Sequence, residues 1–272
     1  MAAERATTEV RQQLGLGRIL PLGEAADGAW VAEEAALAVL HRSVPGARLS
    51  AVRLDPSGPR AAAESAVPAP AGALPPGPLT LTANLAVYAD RPVPAAAEEV
   101  RRTLLAAAEG ELGLPLEYVD LRVTELVEAG GAGRVHGRQE FGPRESAEAP
   151  DSGREPATRG AGPDGRTAAA ETEREEAADR VARAVLAVEG VVRLAPTQGT
   201  AFSHVAVGPR FSAVRIEGDP AAGPCHVLLR VAVSPARRVL DTARAAGAAA
   251  RGALGTSGGV TAAVLVAAVD LR

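Results

Sequence analysis

Two tetrapeptides recur in the same order along this chain of 272 residues, and they constrain its fold more than any other feature. Ser50-Ala51-Val52-Arg53 returns as Ser212-Ala213-Val214-Arg215, and Val119-Asp120-Leu121-Arg122 returns as Val269-Asp270-Leu271-Arg272. A strand pattern and a helix pattern lie between the two members of each set, so the repeat reads as a duplication. The expectation is an α+β protein of two related small domains of roughly 100 residues each. Each is a three- or four-stranded sheet with two helices packed on one face. The boundaries follow: residues 1 to 128 form an N-terminal copy with a Pro/Ala-rich insertion at 56 to 78, residues 129 to 170 a disordered linker, and residues 171 to 272 the C-terminal copy.

Periodicity supplies the elements. Residues 5 to 14 read as a short polar helix ended by Gly15-Leu16-Gly17. Ala32, Ala36, Val39 and Leu40 share one helical face within Trp30 to His41, and a short strand follows over Leu49 to Leu54. Pro56 to Pro78 has no period and reads as a disordered surface excursion. Leu79, Leu81, Ala83, Leu85 and Val87 alternate with mostly polar residues, which predicts a strand with one buried face. A helix over Pro94 to Leu112 carries Ala97, Val100, Leu104 and Ala108 along one stripe, and the alternation of Val119, Leu121 and Val123 closes the first copy.

Residues 129 to 170 offer no apolar face that would offset the entropy of ordering them. The second copy then reads as a helix over Glu171 to Val188, a hairpin of Val191 to Leu194 with Phe211 to Ile216 that has no counterpart in the first copy, and an alternating strand over His226 to Val233. Ser234-Pro235 has the chemistry of a helix start, the helix runs to Leu254, and the last strand covers Val260 to Leu271.

Composition narrows the function classes. All 29 basic residues are arginine, as in G+C-rich coding sequence, and the net charge of −4 argues against a broad nucleic-acid footprint. Six residues are Phe, Tyr or Trp, so the cores must be built from Val, Leu and Ala. Cys225 is the single cysteine, which rules out an intrachain disulfide and a four-cysteine zinc site and suits a reducing cytosol. Met1 to Leu22 lacks the basic start and unbroken apolar run of a signal peptide. The apolar run Val260 to Val269 is far shorter than the roughly 20 residues of a spanning helix. Direct membrane insertion is therefore not expected.

The run Ala178 to Leu194 is an amphipathic helix ending in Val-x-Gly-Val and followed by a strand. With the later strand, helix and final strand it resembles the alkaline shock protein 23 family of bacterial envelope stress response proteins. The resemblance covers nearly all of residues 171 to 272 and, more distantly, residues 28 to 128; Ser234-Pro235 stands where the family pattern has a glycine. It implies a non-enzymatic cytoplasmic protein that acts by association with protein partners or with itself, held near the membrane by a separate anchor protein. It brings no catalytic residues and no cofactor.

Individual motifs carry little chemistry. Gly255-Thr256-Ser257-Gly258-Gly259 fits G-x-S-x-G, but a nucleophile elbow needs strand then helix, and here the helix comes first. His41, His136, His204 and His226 show no metal-ligand spacing, and His204 with Cys225 is the one soft-ligand pair conceivable. Gly110-Glu111-Leu112-Gly113 has the G-x-x-G form of a KH loop but lies between helix and strand. Arg237, Arg238, Arg244 and Arg251 are expected along the exposed side of one helix, where they would suit an acidic partner surface. The leading expectation is a protein-interaction module in envelope stress response. Nucleic-acid binding through the arginine-bearing helix is the alternative, and a hydrolase using Ser257 the third.

Overall fold

A computed structural model of the protein describes residues 17–58, 64–88, 92–127, 165–195, 213–219, 224–255 and 259–271. The architecture is α+β, with a three-stranded sheet, a six-stranded sheet and four α-helices.

The three-stranded sheet is built from β3 (Arg48–Pro56), β4 (Leu79–Tyr88) and β5 (Leu116–Val127), with β4 in the centre, antiparallel to β3 and parallel to β5. The β4 alternation holds residue by residue, with Leu79, Leu81, Ala83, Leu85 and Val87 buried. Ahead of β3 lies α1 (Glu33–Ser43), with Glu33 and Glu34 in its first turn and His41 and Arg42 in its last, both favourable to the helix dipole. Between β4 and β5 lies α2 (Val93–Ala107), which continues as one π-helical turn over Ala108–Leu112 and stops at Gly113.

The second copy repeats this plan. Helix α3 (Gly165–Leu186) is followed by β6 (Val191–Leu194), β7 (Val214–Gly218), β8 (Cys225–Val233), α4 (Val239–Leu254) and β9 (Thr261–Val269). Strand β8 is central, parallel to β9 and antiparallel to both β6 and β7. The hairpin expected from Val191 to Ile216 is not one, because β6 and β7 do not pair with each other. They lie end to end along one edge of β8, with Val191 opposite Val233 and Gly218 opposite Cys225. Together they fill the place that β3 fills beside β4, so this segment does have a counterpart in the first copy.

Strand register also sorts the two tetrapeptide matches. Arg53 pairs with Thr82 and Arg215 with Leu228, equivalent positions on the two central strands. Val119 pairs with Leu81 near the start of β5, whereas Val269 pairs with Val233 at the end of β9. The first match is therefore structural and the second is not.

Several segments differ from the sequence reading. Trp30 and Val31 are in a strand: β1 (Ile19–Leu22) and β2 (Ala29–Ala32) form an antiparallel hairpin whose second strand lies parallel to β9. All eight of these residues are buried, and burial on both faces overrides a short helical period. The hairpin extends the four strands of the second copy to six. Helix α3 starts at Gly165, inside the stretch expected as linker, because adding residues to a nucleated helix costs little. Helix α4 starts at Val239, since Ser234 Oγ accepts the Ala236 amide at 3.2 Å and closes a local turn first.

The Pro/Ala-rich segment is not a disordered excursion over its described part. Ala66 N donates to Ala25 O at 3.0 Å and Leu74 N to Ile19 O at 2.8 Å, so residues 64–78 strap the outer face of the six-stranded sheet. Val67 and Ala73 pack there on Ile19, Trp30, Ala263 and Leu265. Residues 5 to 14 and 129 to 164 lie outside the described residues.

A second, larger core is continuous between the copies. It takes in the inner faces of β4 and β8 and the buried sides of all four helices, so the two sheets share one apolar interior.

Candidate interaction surface

The four arginines were the strongest polar cluster in the sequence, and the structure puts three of them to work inside the chain. Arg244 donates to Asp27 from Nε at 2.7 Å and from Nη2 at 2.9 Å, a bidentate pair between α4 and the β1–β2 turn. Asp27 is prepared for it by the Glu24 amide, which donates to Oδ2 at 2.7 Å. Desolvation pushes the Asp27 carboxyl upward, but the hydrogen bonds from Arg244 and Glu24 outweigh it and hold the group below its ordinary range. The same pairing raises Arg244.

Arg238 precedes α4 and donates from Nε to Glu109 O at 2.8 Å, a carbonyl of the π-helical turn. Arg237 pairs with Glu189 at the end of the α3–β6 connection. Arg251 has no ion pair among the described residues and lies on the exposed side of α4 beside Gly252. Of the expected row of guanidiniums, Arg238 and Arg244 thus clamp one copy to the other, Arg237 pairs within the second copy, and Arg251 lies exposed on α4.

The clamps converge where backbone approaches closely. Gly23 N donates to Gly113 O at 2.8 Å, joining the hairpin turn to the end of the π-helical turn. Gly113 has φ +78°, and a Cβ placed on it would lie 2.5 Å from Leu240 Cβ. At Gly23, with φ +65°, a Cβ would lie 2.9 Å from Leu240 Cδ2. Only glycine allows both the left-handed backbone and this contact. An open depression of about 640 Å³ runs along the seam past Glu24, Arg102, Glu109 and Arg238, carrying two charges of each sign. A smaller cleft of about 190 Å³, with Val87, Ala96 and Val100 in its wall, lies between the α1–β3 turn and α2.

The other motif residues are dispersed. His41 is exposed at the end of α1. His226 is half-buried with Nδ1 2.9 Å from Thr261 Oγ1, and desolvation lowers its pKa against a smaller opposing effect of Glu217. Cys225 is buried, which raises its thiol. His136, His204 and Ser257 lie outside the described residues, as does Gly15-Leu16, and among the described residues no group of three His, Cys, Asp or Glu side chains converges as a metal site. Gly110 to Gly113 closes α2, with Glu111 paired to Arg42 at 2.6 Å.

What remains exposed and organised is the face of the three-stranded sheet turned away from the helices. Thr82, Tyr88, Tyr118, Asp120, Arg122 and Arg53 stand on it in register, Thr82 opposite both Arg53 and Asp120. It holds both tyrosines of the chain, 37% and 60% exposed for Tyr88 and Tyr118. No described helix or strap covers this face, in contrast to the outer face of the six-stranded sheet. The alternation in β4 and β5 marked the face as polar, but only the packing shows that it stays open. Among the described residues no helix is long and apolar enough to cross a membrane. The chain matches no protein-family model, no curated protein and no solved structure.

Proposed function

We propose that the protein is a non-enzymatic interaction module that binds a protein partner through the open face of β3–β4–β5. The observation that carries this is the exposure of both tyrosines on a hydrogen-bonded sheet face whose polar residues alternate with a buried set in β4. Tyrosine brings a large amphipathic surface with little rotamer entropy to lose, which is why such residues anchor interfaces. The setting we assign is cytoplasmic, in cell-envelope stress response or homeostasis, with a membrane-anchor protein as one class of partner. That setting rests on the resemblance of Ala178 to Leu194 and the elements after it to the alkaline shock protein 23 family.

Nucleic-acid binding through the arginine-bearing helix has less support, since Arg237, Arg238 and Arg244 already serve acceptors within the chain. The test is affinity capture from a native lysate with the full chain and with Thr82→Arg/Tyr118→Ser. One consistent partner should be retained by the natural chain and lost by the variant. A partner held equally by both, or none held by either, overturns the reading.

A further inference from the structure

Strand β5 is a twelve-residue edge strand that pairs only with β4 among the described residues. Edges of this length are usually covered or blunted. The other edges are: β1 is met by Ala73 and Leu74 of the strap, β3 is bulged at Ala51 with φ +50° and ends in Pro56, and the β6–β7 edge is interrupted. On β5 the register skips Glu117 and Thr124, which leaves a regular run from Tyr118 to Val123.

One contact reports which way its backbone points. Arg101 Nε reaches from α2 to Val119 O at 3.0 Å, which marks that carbonyl as directed out of the sheet edge. By the two-residue alternation of a strand, the amides and carbonyls of Leu121 and Val123 point the same way. Asp120 and Arg122 then bond towards β4 and place their side chains on the open face.

We infer that two copies of this chain pair through β5, antiparallel, with the two-fold axis at Leu121. This register sets Val119 opposite Val123 and Leu121 opposite itself as hydrogen-bonded pairs, and Asp120 opposite Arg122 of the second copy, twice. Moving the axis to Asp120 puts two aspartates face to face, and moving it to Arg122 does the same with two arginines. Like charges directly opposite destabilise a sheet and opposite ones stabilise it, so charge selects one register of three. An axis between residues is excluded because on every rung it sets a residue whose backbone groups point out of the edge opposite one whose groups point towards β4, so no ladder of hydrogen bonds forms. On the helix side, Leu121 and Val123 are only half-buried in one copy and gain cover from their mates. Isologous pairing of this kind closes on itself, and the irregularities at Glu117 and Thr124 bound the regular run. Val119 O exchanges Arg101 for the Val123 amide of the second copy, and Arg101 keeps Glu98.

The pairing concerns the edge and stands whether or not the open face binds a partner. Two full-length variants, Asp120→Cys and Arg122→Cys, test it. In a non-hydrogen-bonded antiparallel pair the Cα atoms are about 4.5 Å apart, within disulfide range. Both positions are exposed and Cys225 is buried, so the native thiol does not interfere. Mild oxidation should join the two variants when mixed and neither one alone, because residue 120 faces residue 122. Absence of the mixed disulfide, or equal cross-linking of either variant by itself, overturns the proposal. Sedimentation gives a second readout: Asp120→Arg should weaken the dimer about tenfold or more, and Asp120→Arg/Arg122→Asp should restore it. A natural chain that stays monomeric, or a swap that restores nothing while circular dichroism shows intact folding, rejects it.

Discussion

Strands β5 and β9 hold the same place in the two copies, each following a helix and lying parallel to the central strand, yet their surroundings are opposite. Strand β9 reads TAAVLVAAV and has a second parallel neighbour in β2 and the strap over part of its outer face. Strand β5 reads LEYVDLRVTELV and has neither among the described residues. Counted from the first residue of the central strand, Leu265 opposite Arg230 is the equivalent of Arg122 opposite Asn84. One is 3% exposed and the other exposed. The hairpin β1–β2 explains the difference: it comes from the N-terminal stretch but completes the C-terminal sheet, so β9 becomes interior and β5 keeps an exposed edge among the described residues.

The sharpest way to break this comparison is to exchange the two equivalent residues. Leu265→Arg buries a guanidinium against Trp30 and Ile19 and should cost about 3–5 kcal/mol, enough to leave much of the protein unfolded. Arg122→Leu removes an exposed charge and, at a protein concentration too low for pairing through β5, should change stability by less than about 0.5 kcal/mol. Urea denaturation followed by Trp30 fluorescence measures both, and equal effects would show that the two strands are not environmentally distinct.

A smaller loss is expected at the seam. Gly113→Ala sets a Cβ 2.5 Å from Leu240 Cβ on a left-handed backbone, and a cost of about 2–3 kcal/mol follows from the strain and the displaced helix. Because both copies meet Leu240, unfolding should remain a single cooperative transition at a lower midpoint. Two separated transitions would mean that the copies do not share their core.

The mildest effect belongs to the clamp between Asp27 and Arg244. With Arg244 46% exposed, solvent screening limits the pair to about 1 kcal/mol or less. Since the folded carboxyl titrates below its ordinary 3.8, the stabilisation is present above that value and disappears as pH falls through the lower folded one. Asp27→Asn should therefore be less stable than the natural chain at pH 6, and the difference should shrink as acid protonates the folded carboxyl. A difference that persists in acid would place the effect in packing.

Legibility followed locality. Leu79–Tyr88 was readable to the residue because each inward side chain is buried and each outward one is not, a pattern contained in the strand itself. The α2 stripe was readable for the same reason, down to its end at Leu112. Ile19–Leu22 and Ala29–Ala32 were not, since four buried residues in a row carry no period and Trp30 to Leu40 also satisfies a helical one. The strap was missed because Val67 and Ala73 are isolated apolar residues among Pro and Ala, with value only against Trp30. For the candidate surface, alternation identified which residues of β4 and β5 are polar. Of the arginine row, Arg244 and Arg251 are exposed on α4 as the period implies, whereas Arg237 and Arg238 precede it, because period does not say where a helix begins.

The amino-acid order alone determined that helices and strands follow one another twice in the same succession, and which face of most of them is apolar, because periods of two and 3.6 residues are properties of a few consecutive side chains. Tertiary structure decided which strand became interior and which stayed an edge, that β6 and β7 share one edge, and that Arg244 answers to Asp27 across 217 residues of chain. Such choices are set by the free energy of pairing segments that are distant in the chain, and that energy exists only once both partners have folded into reach.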